Sequence, residues 1–294
     1  MLSLTVDEAL QRASFNLKKA GVEDAPVEAE ILLAYVLKKN RLQLHLSKQE
    51  LLPCSAHDIF LDLVERRCKG EPTAYITGHK YFYGRAFRVD RRVLIPRPET
   101  ELIVERSLCF AEECKNSGVA NLSILDLGTG SGVLAVTLAL EITDAEIWAV
   151  DFSPEALEVA RLNADDNKAT KRIAWLEGDY LHAIEGVVSG KGFNLIVSNP
   201  PYLNSKDMEN LPQGIKEYEP ASALYGGPDG LEGYRQIIKK VPSFIKTPFK
   251  LIVEIGSSQE EEVTRILEAA SLFSEIKCYP DLAGLPRVVE AHIS

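Results

Sequence analysis

From residue 123 onward, short apolar runs alternate with segments of helical pattern, and this alternation constrains the fold more than any other feature. Apolar runs of about four to eight residues bounded by turn signals are typical of buried strands. Such runs lie at residues 124–127, 146–150, 173–179, 193–198 and 250–255, and around Ile276 and Val288-Val289. Strands that alternate with helices form a mostly parallel sheet with helices on both faces. The sequence therefore predicts an α/β domain at residues 98–294, built on a doubly wound, mostly parallel seven-stranded sheet.

Residues 1–74 have the pattern of a small all-helical domain. Segments 5–8 and 47–50 match the capping box, in which Ser or Thr precedes Glu by three positions, and each predicts the start of a helix. Residues 75–97 alternate aromatic and polar positions around Gly78 and Gly84, which predicts a β-hairpin connector. Two prolines make segment 94–101 either a stiff linker or a lip over a ligand site.

The charge balance argues against a protein that grips nucleic acid through its whole surface. The net charge is −10 at pH 7, whereas phosphate contacts require clustered Lys and Arg. One local basic cluster is either the solvated face of the hairpin or a docking patch for an acidic partner or RNA. Its members are Lys80, Arg85, Arg88, Arg91, Arg92 and Arg97.

The Cys and His residues are dispersed along the chain. The 5 Cys include no C-x-x-C pair, so we expect reduced thiols and no metal site. No apolar stretch reaches the length of a membrane span, and the N-terminus lacks the pattern of a signal peptide. We therefore expect a cytoplasmic protein without membrane association.

A glycine-rich loop, Asp-Leu-Gly-Thr-Gly-Ser-Gly at residues 126–132, follows the first predicted strand of the sheet. Glycines allow the backbone to approach a ligand closely and to turn sharply into a helix. The next strand ends at Asp151, where a carboxylate is placed to accept hydrogen bonds from ribose hydroxyls. The dinucleotide pattern requires a third glycine where Val133 stands. The loop therefore favours a nucleoside-type cofactor without a pyrophosphate, although glycines in such a turn can also be purely structural.

Asn199-Pro200-Pro201-Tyr202 directly follows the apolar run that begins at Phe193. The carboxyl ends of parallel strands form the edge where open α/β folds bind ligands. Each proline fixes its own φ and restricts the residue before it, so the turn is stiff. The pattern predicts an amide and an aromatic ring held over a crevice, as a clamp for a planar group with an NH₂ to donate. An ordinary proline-capped strand end is the alternative interpretation.

These segments together resemble a class I methyltransferase that uses S-adenosylmethionine. The resemblance rests on the glycine loop, the acid at the following strand end, Gly178-Asp179-Tyr180 and the Asn-Pro-Pro-Tyr clamp. Leu-Ile-Pro-Arg-Pro-Glu-Thr-Glu at 94–101, Glu219-Pro220 and the segment 223–231 make nearly the whole chain similar to the HemK/PrmC family. That family methylates the side-chain amide nitrogen (N5) of the glutamine in the Gly-Gly-Gln motif of class 1 peptide chain release factors.

The resemblance implies a role for each matching residue. The cofactor would be bound by Gly128, Thr129, Gly130, Ser131, Gly132, Asp151, Asp179, Tyr180 and Asn199. In this set the glycine loop would lie against the methionine part, Asp151 would hold the ribose hydroxyls, and Asp179 with Tyr180 would flank the adenine. The substrate would be bound by Asn199, Pro200, Pro201 and Tyr202, with Asn199, Pro200 and Tyr202 as the catalytic residues. The helical domain would recognise the substrate.

The expected mechanism relies on positioning, because an amide nitrogen is a poor nucleophile. The side-chain oxygen of Asn199 and the carbonyl of Pro200 would each accept one N–H of the substrate NH₂, and Tyr202 would pack on the planar amide. Well-held reactants gain on the order of several kcal/mol. We expect neither a metal nor a dedicated general base.

Three other functions remain open from the sequence. The same clamp serves adenine N6 methylation of nucleic acid and glutamine methylation of a ribosomal protein, and a methyltransferase fold can persist in a non-enzymatic binding module. We expect a monomer that acts on peptide chain release factors, with no stable nucleic-acid binding.

Overall fold

The computed structural model describes residues 4–185 and 192–293, and the chain forms two compact units. One unit comprises Met1–His79 and Pro212–Tyr218, and the other comprises Lys80–Leu211 and Glu219–Ser294. The chain therefore returns to the first unit through a short segment that the sequence did not indicate. No helix within the described ranges is long and apolar enough to cross a membrane.

The helices and strands are as follows. The helices are α1 (Val6–Lys19), α2 (Ala25–Leu37), α3 (Arg41–Leu46), α4 (Cys54–Cys68), α5 (Thr73–Thr77), α6 (Glu101–Asn116), α7 (Val133–Glu141), α8 (Pro154–Asp166), α9 (Ser205–Glu209), α10 (Gln213–Tyr218), α11 (Glu232–Lys240) and α12 (Glu260–Ala269). The strands are β1 (His79–Phe82), β2 (Arg85–Arg88), β3 (Ser123–Leu127), β4 (Glu146–Asp151), β5 (Ile173–Glu177), β6 (Phe193–Ser198), β7 (Ile245–Glu254), β8 (Glu275–Pro280) and β9 (Pro286–Ile293).

The first unit is helical, as predicted, and α1 begins at the predicted capping box. Thr5 accepts a hydrogen bond from the Glu8 N–H at 3.2 Å, and Glu8 accepts one from the Thr5 N–H at 2.8 Å. The apolar faces of α1, α2 and α4 meet in a core that includes Leu17, Leu32 and Phe60. This burial supplies the main stabilisation, because helices of this length are marginal alone.

The predicted capping box at residues 47–50 was wrong. Ser47 ends α3, and its hydroxyl donates to the carbonyls of Gln43 at 3.0 Å and Leu44 at 3.1 Å. The box of this region is formed by Asn40 and Gln43 at the start of α3. A serine hydroxyl can bond to the preceding turn as readily as to the following one, so the pattern alone does not decide which helix it serves.

The segment Pro212–Tyr218 packs in the helical unit through a close backbone contact. A Cβ atom at Gly214 would lie 2.6 Å from the carbonyl oxygen of Gly70, a distance that real Cβ atoms do not adopt. Glycine is therefore required at position 214 for the two backbones to meet.

The second unit contains the predicted seven-stranded sheet, in the order β5-β4-β3-β6-β7-β9-β8. All neighbouring strands are parallel except β9, which is antiparallel to β7 and to β8. All six residues of β6 are buried, which explains its continuous apolar run. The predicted fold class is confirmed.

The strand order brings the predicted site residues to one edge. The chain passes from β3 outward to β4 and β5, and then returns to place β6 on the other side of β3. At the carboxyl ends, Leu127 pairs with Ser198 and with Val150, and Asp151 pairs with Glu177. Ligands of open α/β sheets bind at such a reversal of strand order.

Strands β1 and β2 form the expected hairpin, with Tyr83 (φ 48°) and Gly84 (φ 74°) in its turn. Two consecutive positive φ values suit the right-handed twist of a tight hairpin. The neighbouring basic cluster is largely neutralised by ion pairs. These are Arg85–Glu141, Arg88–Asp166, Arg92 with Asp90 and Glu158, and Arg97–Glu219. This pairing favours the solvated hairpin face over a docking patch for RNA.

Candidate active site

A cavity of about 960 Å³ lies where the carboxyl ends of β3, β4, β5 and β6 meet. Its volume is at the upper end of the range for small-molecule sites. The predicted site residues that line it are Gly128, Gly130, Asp151, Asp179, Tyr180, Asn199 and Pro201. The predicted residues outside its wall are Thr129, Ser131, Gly132, Pro200 and Tyr202. The structure thus brings residues from four strand ends together around one space.

The glycine loop leaves room for a ligand at two of its three glycines. Gly128 and Gly130 have φ values of +72° and +53°, and a Cβ atom on either would meet nothing within 4 Å. A Cβ atom at Gly132 would instead lie 3.0 Å from the Cβ atom of Ala160, so this glycine permits the packing of α7 on α8. Gly128 and Gly130 therefore serve the cavity, and Gly132 serves the fold.

Asp126 braces the loop from beneath, a role that was not predicted. Its Oδ2 accepts hydrogen bonds from the Thr129 hydroxyl at 2.6 Å and from the Ala135 N–H at 3.1 Å. Complete burial raises the pKa of Asp126 to about 7, against the lowering effect of these two donors. A carboxylate inside an otherwise apolar strand was the sequence signal for this role.

Asp151 is held rigidly at the end of β4. Its Oδ2 accepts from the Gly130 N–H at 2.8 Å, and its Oδ1 accepts from the Ser153 N–H at 3.0 Å. Burial raises the pKa of this carboxyl, and the backbone N–H groups of Ser153, Gly130 and Phe152 oppose that rise. A carboxylate has about four acceptor sites, so each oxygen keeps capacity for a ligand hydroxyl.

Phe152 is a cavity residue that the sequence reasoning missed. Its side chain lines the cavity beside Asp151 and is 54% exposed. An exposed aromatic ring next to the Asp151 carboxylate offers a planar group an apolar surface to pack on. The signal was an aromatic residue directly after the strand-end acid.

Asn199 is half-buried on the cavity wall, and its side chain begins a short chain of hydrogen bonds. Its Nδ2 donates to the Thr100 hydroxyl oxygen at 3.1 Å. The Thr100 hydroxyl in turn donates to Oε2 of Glu254 at 2.6 Å. Thr100 belongs to the segment 94–101, whereas Glu254 ends β7 and was not singled out in the sequence.

Tyr202 is half-buried next to Pro201 of the cavity wall, and a side chain holds its backbone in place. Gln259 Nε2 donates to the carbonyl oxygen of Tyr202 at 3.0 Å and to that of Gly230 at 3.2 Å. Burial raises the pKa of the Tyr202 phenol to about 12 and also raises that of Tyr180, so both phenols are uncharged near neutrality. Neither can serve as an ionised base there.

Two glycines of the segment 223–231 make room for the clamp backbone. A Cβ atom at Gly226 would overlap the carbonyl oxygen of Pro201, and one at Gly230 would overlap that of Tyr202. This segment therefore packs directly on the clamp formed by residues 199–202.

We expect Gly230→Ala to lower kcat about 10- to 100-fold, because the clamp must shift to admit the methyl group. Gly284→Ala is the matched control, since Gly284 has a similar φ (+79° against +76°) but open space around it. Both variants incur roughly 1–2 kcal/mol of backbone strain. Thermal unfolding of both proteins measures the backbone strain, and steady-state kinetics measures the effect of displacing the clamp. Equal kcat values in the two variants would show that the contact between Gly230 and the clamp does not affect catalysis.

The segment 94–101 forms part of the cavity wall and is tied to Glu219. Oε2 of Glu219 accepts from the Ile95 N–H at 3.2 Å, and its Oε1 accepts from Arg97 at 2.7 Å. The Glu219 side chain is 1% exposed, so its charge is balanced by this arginine. Leu94 and Pro220, one on each tied segment, both line the cavity. The lip interpretation of the segment is thus favoured over that of a plain linker.

Comparison with known proteins identifies the family of the chain. A family model described as the PrmC N-terminal domain matches residues 8–78, and one described as the methyltransferase small domain matches residues 107–215. The release factor glutamine methyltransferase of Bacillus anthracis is 36% identical over 290 residues, which cover 99% of this chain and 100% of that protein. This chain belongs to the release factor glutamine methyltransferase family. The family member from Bacillus subtilis (strain 168) is 38% identical over 296 residues, covering 98% of each chain.

Solved structures confirm the methyltransferase fold predicted for this family member. The hMettl16 catalytic domain, in complex with the MAT2A 3′UTR hairpin 6, has a TM-score of 0.55 at 13% identity, covering 79% of this chain and 82% of that one. The T. thermophilus 16S rRNA N2 G1207 methyltransferase, in complex with AdoMet and guanosine, has a TM-score of 0.50 at 17% identity, covering 74% and 50%. These identities are low, so the likeness concerns the fold alone.

Proposed function

We propose that this protein transfers a methyl group from S-adenosylmethionine to the side-chain amide nitrogen of the glutamine in the Gly-Gly-Gln motif of class 1 peptide chain release factors. The observation that carries the proposal is the similarity to proteins named release factor glutamine methyltransferase, which are 36% and 39% identical over 99% and 94% of this chain. Family models match residues 8–78 and 107–215. The clamp on the cavity wall supports it, because Asn199 has an acceptor to offer an NH₂ group.

The residues of the cavity fit S-adenosylmethionine. Gly128 and Gly130 leave open space where the methionine part would lie, and Asp151 has acceptor capacity for the ribose hydroxyls. Phe152 and Tyr180 offer aromatic surface to the adenine, with Asp179 beside them. When bound, S-adenosylmethionine supplies a methyl group activated by the positive charge of its sulfur.

The clamp then acts by orientation. Asn199 Oδ1 and the Pro200 carbonyl each accept one N–H of the substrate amide, which directs the nitrogen lone pair away from both acceptors. Tyr202, neutral because burial raises its pKa to about 12, packs against the amide plane. Orientation of this kind removes on the order of several kcal/mol from the barrier. No side chain has to deprotonate the amide before the transfer, because the nitrogen can release one of its two protons to water once the methyl group is attached. The sulfur that carried the methyl group is left as a neutral thioether.

Two alternatives within methyl transfer share this clamp. A glutamine of a ribosomal protein presents the same amide, and adenine presents an exocyclic NH₂ of similar shape. The ion pairs of Arg85, Arg88, Arg92 and Arg97 leave little free positive charge at the hairpin for a nucleic-acid backbone. We therefore favour the release factor.

Radiolabelled S-adenosylmethionine distinguishes these substrates directly. We expect the purified protein to label a class 1 release factor on the Gly-Gly-Gln glutamine and to leave a release factor with Glu at that position unlabelled. Duplex DNA, RNA and ribosomal proteins serve as competing acceptors in parallel reactions. Label on one of these acceptors, and none on the release factor, would reject the proposal.

The proposed substrate also suggests the location of the enzyme and a role for its helical unit. Release factors act with the ribosome, so we propose a cytoplasmic enzyme whose helical unit recognises the release factor. A monomeric state and the lack of stable nucleic-acid binding remain predictions.

A further inference from the structure

Thr100 and Glu254 form a buried hydrogen-bonded pair directly behind Asn199. Thr100 is 3% exposed and Glu254 is 1% exposed, so water does not compete for either side chain. Within the described part of the chain, the Asn199 side chain is hydrogen-bonded to Thr100. We propose that Thr100 and Glu254 are positioning residues that fix which end of the Asn199 amide faces the substrate. The proposal rests on the proposed function.

The hydrogen bonds of Thr100 have a fixed donor and acceptor order, because a hydroxyl has only one proton to donate. An ionised carboxylate can only accept, so the Thr100 proton lies in the 2.6 Å bond to Glu254. The Thr100 oxygen is then left with lone pairs and requires a donor on its other side. Nδ2 of Asn199, at 3.1 Å, is that donor. The Asn199 oxygen is consequently turned away from Thr100, where it is available to the cavity.

This direction matters because the two ends of a carboxamide have nearly the same shape. An isolated asparagine can rotate its amide by 180° and exchange an acceptor for a donor. A reversed Asn199 would present its NH₂ to the NH₂ of the substrate glutamine. Two donors would then face each other, and the substrate nitrogen would lose an acceptor that orients it.

The charges around Glu254 come from several elements. Arg287 on β9 and Arg97 on the segment 94–101 favour its ionised form, whereas Glu99 opposes it. The neutral phenols of Tyr202 and Tyr234 also lie near, and Tyr234 donates to the Glu254 backbone carbonyl at 2.9 Å. Burial outweighs the two arginines and raises the pKa of Glu254 to about 7.

The consequence for pH dependence follows from that pKa. Above about pH 7 the carboxylate accepts and the direction is fixed. Below it, the protonated carboxyl carries its own O–H, which can donate to Thr100 and release the hydroxyl to turn toward Asn199. We therefore expect kcat to fall as pH drops through this range.

The test uses release-factor methylation by four full-length variants. Thr100→Val, which removes the hydroxyl but keeps the shape, is expected to lower kcat about 10- to 100-fold with the KM for release factor nearly unchanged. Thr100→Ser should restore nearly full kcat. Glu254→Gln, which can donate as well as accept, should lower kcat and abolish the acid limb of the pH profile. Thr137→Val is the matched control, since the buried Thr137 hydroxyl has no partner among the described residues.

A second readout does not depend on the substrate. With ¹⁵N-asparagine labelling, the side-chain NH₂ resonance of Asn199 should shift in Thr100→Val and in Glu254→Gln, but not in Thr137→Val. Wild-type kcat and pH profile in Thr100→Val, or an unmoved Asn199 resonance, would overturn the inference. If the wild-type enzyme methylates no release factor, the proposed function is refuted instead. The side-chain NH₂ resonance of Asn199 would still show whether Thr100 orients that side chain. If Thr100→Val does not fold, the remaining variants decide. A wild-type kcat and pH profile in Glu254→Gln, or a low kcat in a folded Thr100→Ser, would then overturn the inference.

Discussion

Asn199→Ala is expected to lower kcat for release-factor methylation by about 10³-fold or more while leaving the affinity for S-adenosylmethionine within about threefold. The substitution removes the acceptor that we assign to the substrate NH₂, and it also leaves the Thr100 hydroxyl oxygen without its donor. Asp151, Gly128 and Gly130, which we assign to the cofactor, are untouched. Single-turnover methylation measures the first quantity, and equilibrium dialysis with labelled cofactor measures the second.

A matched control lies a short distance along the chain. Asn210 is exposed at the end of α9, so Asn210→Ala removes an asparagine without touching the cavity. It should retain wild-type kcat. An Asn199→Ala enzyme as active as this control would show that the clamp does not position the substrate. A comparable loss of cofactor binding would show that Asn199 holds the cofactor rather than the glutamine.

Asp151→Ala is expected to weaken S-adenosylmethionine binding about 100-fold or more. The carboxylate would accept two ribose hydroxyls, and hydrogen bonds to a charged group contribute about 1.5–3 kcal/mol each. The substitution also removes the acceptor of the Gly130 and Ser153 N–H groups, which loosens the glycine loop. Isothermal titration calorimetry gives the dissociation constant directly.

The control for this substitution sits before the same strand. Asp144 is exposed in the turn that precedes β4, so Asp144→Ala lowers the acidic charge equally without reaching the cavity. Its cofactor affinity should equal that of the wild type. An unchanged affinity in Asp151→Ala would show that Asp151 does not bind the cofactor. The assignment of the cavity to S-adenosylmethionine would then lose its support from this residue.

The sequence predicted the sheet and the strand-end residues because these features are local. The strands around Ile124 and Phe193 are buried on both faces, so they read as continuous apolar runs. The glycine loop, Asp151 and the clamp each follow directly after such a run, and parallel strand ends meet at one edge. Position along the chain was therefore enough to place them together.

The remaining features depend on contacts between distant residues. The hydrogen bond between Thr100 and Glu254 joins two residues that are 154 positions apart, and no sequence pattern in either segment predicts their contact. The return of Pro212–Tyr218 to the helical unit has the same character. Ser47 illustrates a third case, in which a local pattern is real but serves the helix before it rather than the one after it.

Mass spectrometry of a class 1 release factor purified from cells with and without this gene tests the central claim most directly. We predict one additional methyl group on the Gly-Gly-Gln glutamine when the gene is present and none when it is deleted. The wild-type gene should restore the methyl group, and the Asn199→Ala allele should not. A release factor that stays fully methylated in the deletion strain, with the missing methyl group found on a ribosomal protein or on adenine, would contradict the account.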